Sequence, residues 1–132
     1  MFFNDEKDYI MRIIKEMTKM LGALMLGKEN SKSSIEVFEE SRVEITRTKP
    51  NKYEDMVDAG QINEAENLLV KELDFGNMEE VFSAVLFYKY ISEKDDEFLK
   101  AHDYTKEEAL DGIRWLAEKT GYGSVCKLYL GE

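Results

Sequence analysis

The sequence predicts an all-α protein, and three observations support this. The chain has one Pro and 8 Gly in 132 residues, which is too little turn chemistry for many short strands. Charged residues make up 35% of the chain, and most are Glu and Lys, which favour helices. Apolar residues recur at three- and four-residue spacing along several stretches. We therefore expect one domain, residues 1–132, built as an antiparallel bundle of helices and helical hairpins.

The first predicted helix is long and amphipathic, running from about Asn4 or Asp5 to Leu26. Asn4 is a suitable N-cap, and the acidic residues just after it favour the positive end of the helix dipole. Gly27 supplies a stop signal. The apolar residues form one broad stripe: Ile10, Ile13, Ile14, Met17, Met20, Leu21, Leu24 and Met25.

A second helix is predicted from Ser34 to about Thr46, before a break at Pro50. This divides the domain into two parts of different charge. Residues 1–50 carry nine Lys and Arg against nine Asp and Glu, and residues 51–132 carry nine against nineteen. The net charge of −10 therefore belongs entirely to an acidic body of helical hairpins, residues 51–132.

Four further helices are predicted in this acidic body. A short helix over 52–59 ends at Gly60, and the next runs over 63–73. Asn77 with Glu80 resembles a capping box and opens a helix that continues to residue 91. That helix is apolar nearly all round, which is typical of a helix at the centre of a core.

The last long helix should begin after the capping box at Thr105 and end near Gly121. Residues 93–100 precede it and form a short acidic turn of helix. The tail, residues 122–132, carries apolar side chains but no pattern that assigns its structure.

Two stretches carry resemblances. Residues 60–65 with Leu69 resemble the turn and second helix of a tetratricopeptide repeat, although Glu72 and Asn77 depart from that motif and no second copy follows. Residues 8–17 together with 60–69 resemble an uncharacterised family of small acidic bacterial proteins, over most of the chain. The resemblance implies a helical, partly tetratricopeptide-like fold, and it implies no activity, cofactor or site residue.

The reactive residue types are scarce and isolated. His102 is the sole histidine, and the acidic residues near it lack the alternation and the Gly of a calcium loop. Cys126 lies beside apolar residues, as a small buried hydrophobe does. Gly121 to Ser124 follows a helix and lacks the Lys of a phosphate loop. We expect no catalytic, cofactor or metal site, and hence no enzyme.

Composition also bears on partners and location. An acidic body repels phosphate backbones, so nucleic-acid binding is disfavoured. Uncharged runs are too short for a membrane span, and the acidic residues that follow Phe3 are the wrong charge for a secretory signal. A single Cys suits a reducing compartment. We expect a cytoplasmic protein.

Two surfaces are the predicted contact sites. The Met-rich stripe of the first helix either packs on its own domain or forms a homodimer or partner interface. Membrane-surface binding is disfavoured, because the polar face of this helix lacks a strong basic excess. Trp115 projects from an acidic helix face and needs cover from the tail or from a partner. The candidate interface residues are Ile10, Ile14, Met17, Leu21, Leu24 and Trp115.

Three functions remain open on the sequence alone. The first is a non-enzymatic protein–protein interaction domain that self-associates through its first helix. The second is a small-ligand or enzyme-like pocket between helices, its ligand unspecified. The third is an acidic protein that masks a basic partner.

Overall fold

A computed structural model describes residues 5–27 and 52–131. Within these ranges every regular element is an α-helix, which confirms the predicted fold class. The helices are α1 (Asp5–Leu26), α2 (Lys52–Asp58), α3 (Ile62–Glu72), α4 (Met78–Ser92), α5 (Asp96–Ala101), α6 (Lys106–Lys119) and α7 (Gly123–Leu130). The helix predicted over 34–46 lies outside the described residues. None of the described helices combines the length and the apolarity that crossing a membrane requires.

Helix α4 is the centre of the core, as its apolar sequence predicts. It packs against α1 on one side and α6 on another, and α2 also contacts it. Side chains are buried all round its axis, from Val81 and Phe82 to Tyr88 and Ile91. Because neighbours on several sides must cover one helix, α4 fixes where the flanking helices lie.

Helix α1 begins and ends close to the predicted limits, and Gly27 follows it with a φ of +71°. It packs on α4, α6 and α7. Its apolar stripe faces these helices, so the described part of α1 belongs to the same core as the acidic body.

The two predicted helix starts in the acidic body form in different ways. Asn77 accepts hydrogen bonds from the backbone amides of Glu79 and Glu80 at 3.0 and 3.2 Å. The Glu80 carboxylate reaches back beyond Asn77 and accepts from the amide of Asp74, at 3.1 Å. At Thr105, both halves of the predicted capping box are present.

The turn between α2 and α3 is built on a close approach. Gly60 has a φ of +90°, and a Cβ atom there would lie 2.4 Å from Nε2 of His102. Helices α2 and α3 pack against each other across this turn, and Ala65 is buried. Helices α2 and α3 thus form a helical hairpin, and its likeness to a tetratricopeptide repeat stays a prediction.

The tail, which the sequence left unassigned, forms α7. Its N-cap residue Tyr122 makes no side-chain capping bond, so the local signal for a helix start is weak. The helix packs on α6 and α1 through buried Val125 and Cys126. Tertiary packing, rather than a local start signal, accounts for this helix.

Candidate functional site

A groove of about 490 Å³ opens along α3 and α6, with α4 beneath it. Residues of α3 form one wall and residues of α6 form the other. Tyr88 of α4 and Tyr104, which precedes α6, complete the lining. The lining residues are Asn63, Glu66, Asn67, Val70, Tyr88, Tyr104, Glu108, Asp111, Gly112 and Trp115.

All the charged side chains that line the groove are carboxylates. Glu108 accepts a hydrogen bond from the amide of Thr105 as part of the capping box. Asp111 lies 3.9 Å from the guanidinium of Arg114, at the edge of ion-pair distance. Glu66 accepts a hydrogen bond from Tyr88, and no cation pairs with it among the residues that the structure describes. The groove is therefore negative and aromatic at once.

Two buried tyrosines and Glu66 converge at the floor of the groove. Tyr88 is 1% exposed, and its hydroxyl donates to Oε2 of Glu66 at 2.8 Å. Burial raises the pKa of Tyr88, and the negative charge of Glu66 raises it further. The Tyr88 phenol is therefore protonated and neutral across the physiological pH range.

Tyr104 lies beside this pair and is 3% exposed. Burial raises its pKa, and the nearby charge of Glu66 adds to the effect. Its hydroxyl oxygen is buried and makes no well-formed hydrogen bond within the described ranges 5–27 and 52–131. Since buried hydroxyls are normally paired, this hydroxyl beside Glu66 retains hydrogen-bonding capacity at the groove floor.

Gly112 makes room for this floor. A Cβ atom at Gly112 would lie 2.3 Å from a ring carbon of Tyr88, closer than real atoms approach. The Tyr88 ring therefore packs directly against the backbone of α6 at this position.

Trp115 stands at the rim of the groove and is 39% exposed. Phe75, in the loop between α3 and α4, packs edge-on against it with ring centroids 5.6 Å apart and planes at 90°. The ammonium of Lys119 lies 6.0 Å from the Trp115 ring centre. The sequence predicts that the tail or a partner covers Trp115. In the structure, part of the cover comes from Phe75, which belongs to neither.

The predicted interface residues of α1 fall into two groups. Four of them are in the core of this chain: Ile10, Ile14, Met17 and Leu21. These four side chains pack on their own domain, which is one of the two predicted alternatives for the stripe, because α4, α6 and α7 cover them. They are not an exposed surface. Leu24, in contrast, is 45% exposed.

The residues at the groove floor were not predicted as site residues from the sequence. Glu66, Tyr88 and Tyr104 come from three separate stretches, so no local spacing links them. One signal was present: Tyr88 is a residue with a polar group in a helix whose neighbours are almost all apolar. Such a hydroxyl requires a partner when buried, and here that partner is Glu66.

The other reactive residues have structural surroundings. His102 caps the end of α5, and its Nδ1 lies 2.7 Å from the carbonyl oxygen of Phe98. Cys126 is buried, with its thiol 3.9 Å from the carbonyl of Arg114. In the part of the chain that is described, no group of three His, Cys, Asp or Glu side chains is arranged to hold a metal ion.

A second groove, of about 520 Å³, lies where α4 ends and α5 begins. It is lined by Asp8, Met11, residues 93–97 and Lys106. Lys106 is engaged there, because its ammonium donates to the carbonyl oxygens of Ser92 and Lys94 at 2.6 Å each. This groove joins structural elements and lacks the aromatic lining of the first.

The fold and the groove define a small all-helical protein with an acidic cleft floored by tyrosines. The chain belongs to the family of unknown function DUF6483, whose model matches residues 4–121. The match confirms the resemblance to an uncharacterised family and includes every residue of the groove. No curated protein matches the chain, and no solved structure does.

Proposed function

We propose that this protein is a non-enzymatic protein-binding domain that receives a basic segment of a partner in the groove between α3 and α6. The observation that carries the proposal is an exposed Trp115 at the rim of a groove whose charged lining is wholly negative. Partly exposed Trp residues are frequent anchors of protein interfaces. A basic segment supplies the charge that this lining lacks.

The charge of the whole chain supports the same partner. The net charge is −10, and the excess lies in residues 51–132, which build the groove. A negative field of this kind accelerates encounter with a basic partner and slows encounter with an acidic one. The proposal thus joins two of the predicted functions, an interaction domain and an acidic cover for a basic protein. We place such a protein in the cytoplasm.

The chemistry of the groove favours binding over catalysis. A general base needs a pKa near the working pH, whereas burial moves the pKa values of Tyr88 and Tyr104 upward, away from neutrality. The two phenols therefore act as neutral hydrogen-bonding groups. A small-molecule ligand between the helices is the alternative use of the same groove.

Self-association through α1 is a separate proposal with less support. The buried part of the stripe is already covered, and among the described side chains of α1 the exposed large apolar ones that a homodimer could use are Tyr9 and Leu24. Light scattering at high micromolar concentration tests it, and a monomer would contradict it.

The experiment for the main proposal uses Trp115, the sole Trp, as a fluorescent reporter. Two peptides of equal length are titrated at low salt, one alternating Lys with Gly and the other alternating Glu with Gly. We expect the Lys peptide to change the Trp115 emission, with an affinity that falls as salt rises. The Glu peptide should leave the emission unchanged.

Backbone amide shifts from NMR provide the location. We expect the largest shifts along residues 63–70 and 104–115. No binding of the Lys peptide at low salt would contradict the proposal, and so would binding whose shifts fall outside these two stretches.

A further inference from the structure

We propose that the floor of the groove is a subsite for the ammonium group of a single lysine side chain, presented by the basic segment. This inference rests on the proposed function and adds a chemical specificity to it. The subsite consists of the Glu66 carboxylate and the hydroxyl oxygens of Tyr88 and Tyr104.

These three polar groups complement an ammonium group. A lysine ammonium has three donors and no acceptor. Tyr88 donates its own proton to Oε2 of Glu66, so the phenol oxygen keeps its lone pairs as acceptors, and the carboxylate can accept further hydrogen bonds. The Tyr104 hydroxyl, buried without a well-formed hydrogen bond, supplies a third acceptor.

The charges match one to one. Both phenols stay protonated, since burial raises the pKa of each, so the floor carries only the charge of Glu66. One ammonium neutralises one carboxylate. A buried hydroxyl without a well-formed hydrogen bond costs free energy in the empty groove, and an ammonium that donates to the Tyr104 oxygen offsets part of that cost.

The wall between the floor and the rim suits the apolar stem of lysine. Val70 and Trp115 line the groove together with the floor residues. Lysine side chains bury their methylene groups along apolar surface and place the charge at the tip. The Trp115 ring already has an ammonium near it, that of Lys119, so its surroundings are compatible with a cation.

Arginine fits this floor less well. The planar guanidinium gains most from a carboxylate when it pairs with both oxygens. At Glu66 one oxygen already accepts the Tyr88 hydroxyl. A bidentate pair would have to share that oxygen with the Tyr88 hydroxyl, whereas an ammonium can use the other carboxylate oxygen and the phenol oxygens.

The test compares four probes on the intact protein by amide shifts and Trp115 emission. They are the peptide alternating Lys with Gly, the same peptide with every lysine Nε-acetylated, the Arg version, and spermidine. Acetylation keeps the stem and removes the charge. We expect it to weaken binding by about tenfold or more, because a charge-assisted pair is lost. The Arg version should bind more weakly than the Lys version.

Variants localise the effect. Glu66→Gln should weaken the Lys peptide by about tenfold. Glu64→Gln is the matched control, because it removes the same charge from the same helix at an exposed position outside the groove lining. It should change the affinity by less than about twofold. Tyr104→Phe deletes the buried hydroxyl without enlarging the side chain, so the variant should fold normally. Among the four probes, it should weaken binding of the Lys peptide only.

The outcomes separate the two proposals. If the Lys and acetylated peptides bind equally, or if Glu66→Gln matches Glu64→Gln, the lysine subsite is wrong while the protein-binding proposal stands. Equal or tighter binding of spermidine at the same amides would assign the floor to a free polyamine and overturn the lysine proposal. If no basic peptide binds, both proposals fail.

Discussion

Gly112 and Tyr88 are in direct contact, with the aromatic ring lying where any other residue at position 112 would place its Cβ atom. The contact joins α6 to α4, the two helices that form the wall and the floor of the groove. The depth of the groove therefore depends on a residue that has no side chain.

Gly112→Ala tests this contact. A Cβ atom 2.3 Å from the Tyr88 ring has to displace it, and Tyr88 is too buried to move freely. We expect a loss of about 1–3 kcal/mol in the free energy of unfolding, as in other overpacked cores, despite the better helix propensity of Ala. Urea denaturation measures this loss.

Gly123→Ala is the control for Gly112→Ala. It stands at the first position of α7, and its added Cβ atom would lie 3.6 Å from the nearest atom, an ordinary contact. We expect no loss of stability there. Equal stability of the two variants would mean that the Tyr88 ring does not occupy the space above Gly112.

The helices could be predicted because their signals are local. Apolar spacing predicted α1 and the buried α4, and the capping box of Thr105 and Glu108 predicted the start of α6. The tail helix α7 has no such signal at its start, because Tyr122 makes no capping bond. Its eight residues are helical through contact with α6 and α1.

The groove could not be predicted because its floor is assembled from distant parts of the chain. Glu66 and Tyr88 are 22 positions apart, and only the packing of α3 near α4 brings them to hydrogen-bond distance. The Met-rich stripe shows the complementary difficulty. Apolar spacing predicts a covered face, but it does not say whether the cover comes from this chain or from another.

Tyr88→Phe should change how stability depends on pH. The raised pKa means that the folded protein holds the phenolic proton more tightly than the unfolded chain, whose tyrosines titrate near pH 10. The contribution is therefore complete below about pH 10 and is lost as the pH rises above it. At pH 10.5 the wild-type protein should lose about 0.8 kcal/mol more than the variant does, relative to pH 8.

The measurement is urea denaturation of both proteins at the two pH values. Lysines and the other tyrosines titrate in both proteins, so the difference between them isolates Tyr88. At pH 8 the variant should be less stable by about 1 kcal/mol, because it lacks the hydrogen bond to Glu66. If the two proteins lose stability in parallel up to pH 10.5, the Tyr88 hydroxyl is not held in the buried position.

Lys106→Met tests the junction between α4 and α6. The Lys106 side chain is 8% exposed, and its ammonium donates to the carbonyl oxygens of Ser92 and Lys94. Methionine keeps much of the stem but leaves these acceptors without that donor, which should cost about 1–3 kcal/mol. Thermal or urea unfolding measures the loss. Lys100→Met, at an exposed position of α5, should stay within about 0.5 kcal/mol of wild type.

Phe75→Ala tests what covers Trp115. The Phe75 ring packs edge-on against the indole, so its removal should expose Trp115 to water. We expect the emission of this sole Trp to move to longer wavelength and to become more easily quenched by acrylamide. Leu128→Ala removes an exposed apolar side chain from α7 and should leave the emission unchanged. The reverse result, a shift in emission with Leu128→Ala and none with Phe75→Ala, would show that the tail and not Phe75 covers Trp115. The rim of the groove would then be formed by α6 and α7 instead of by the loop that carries Phe75.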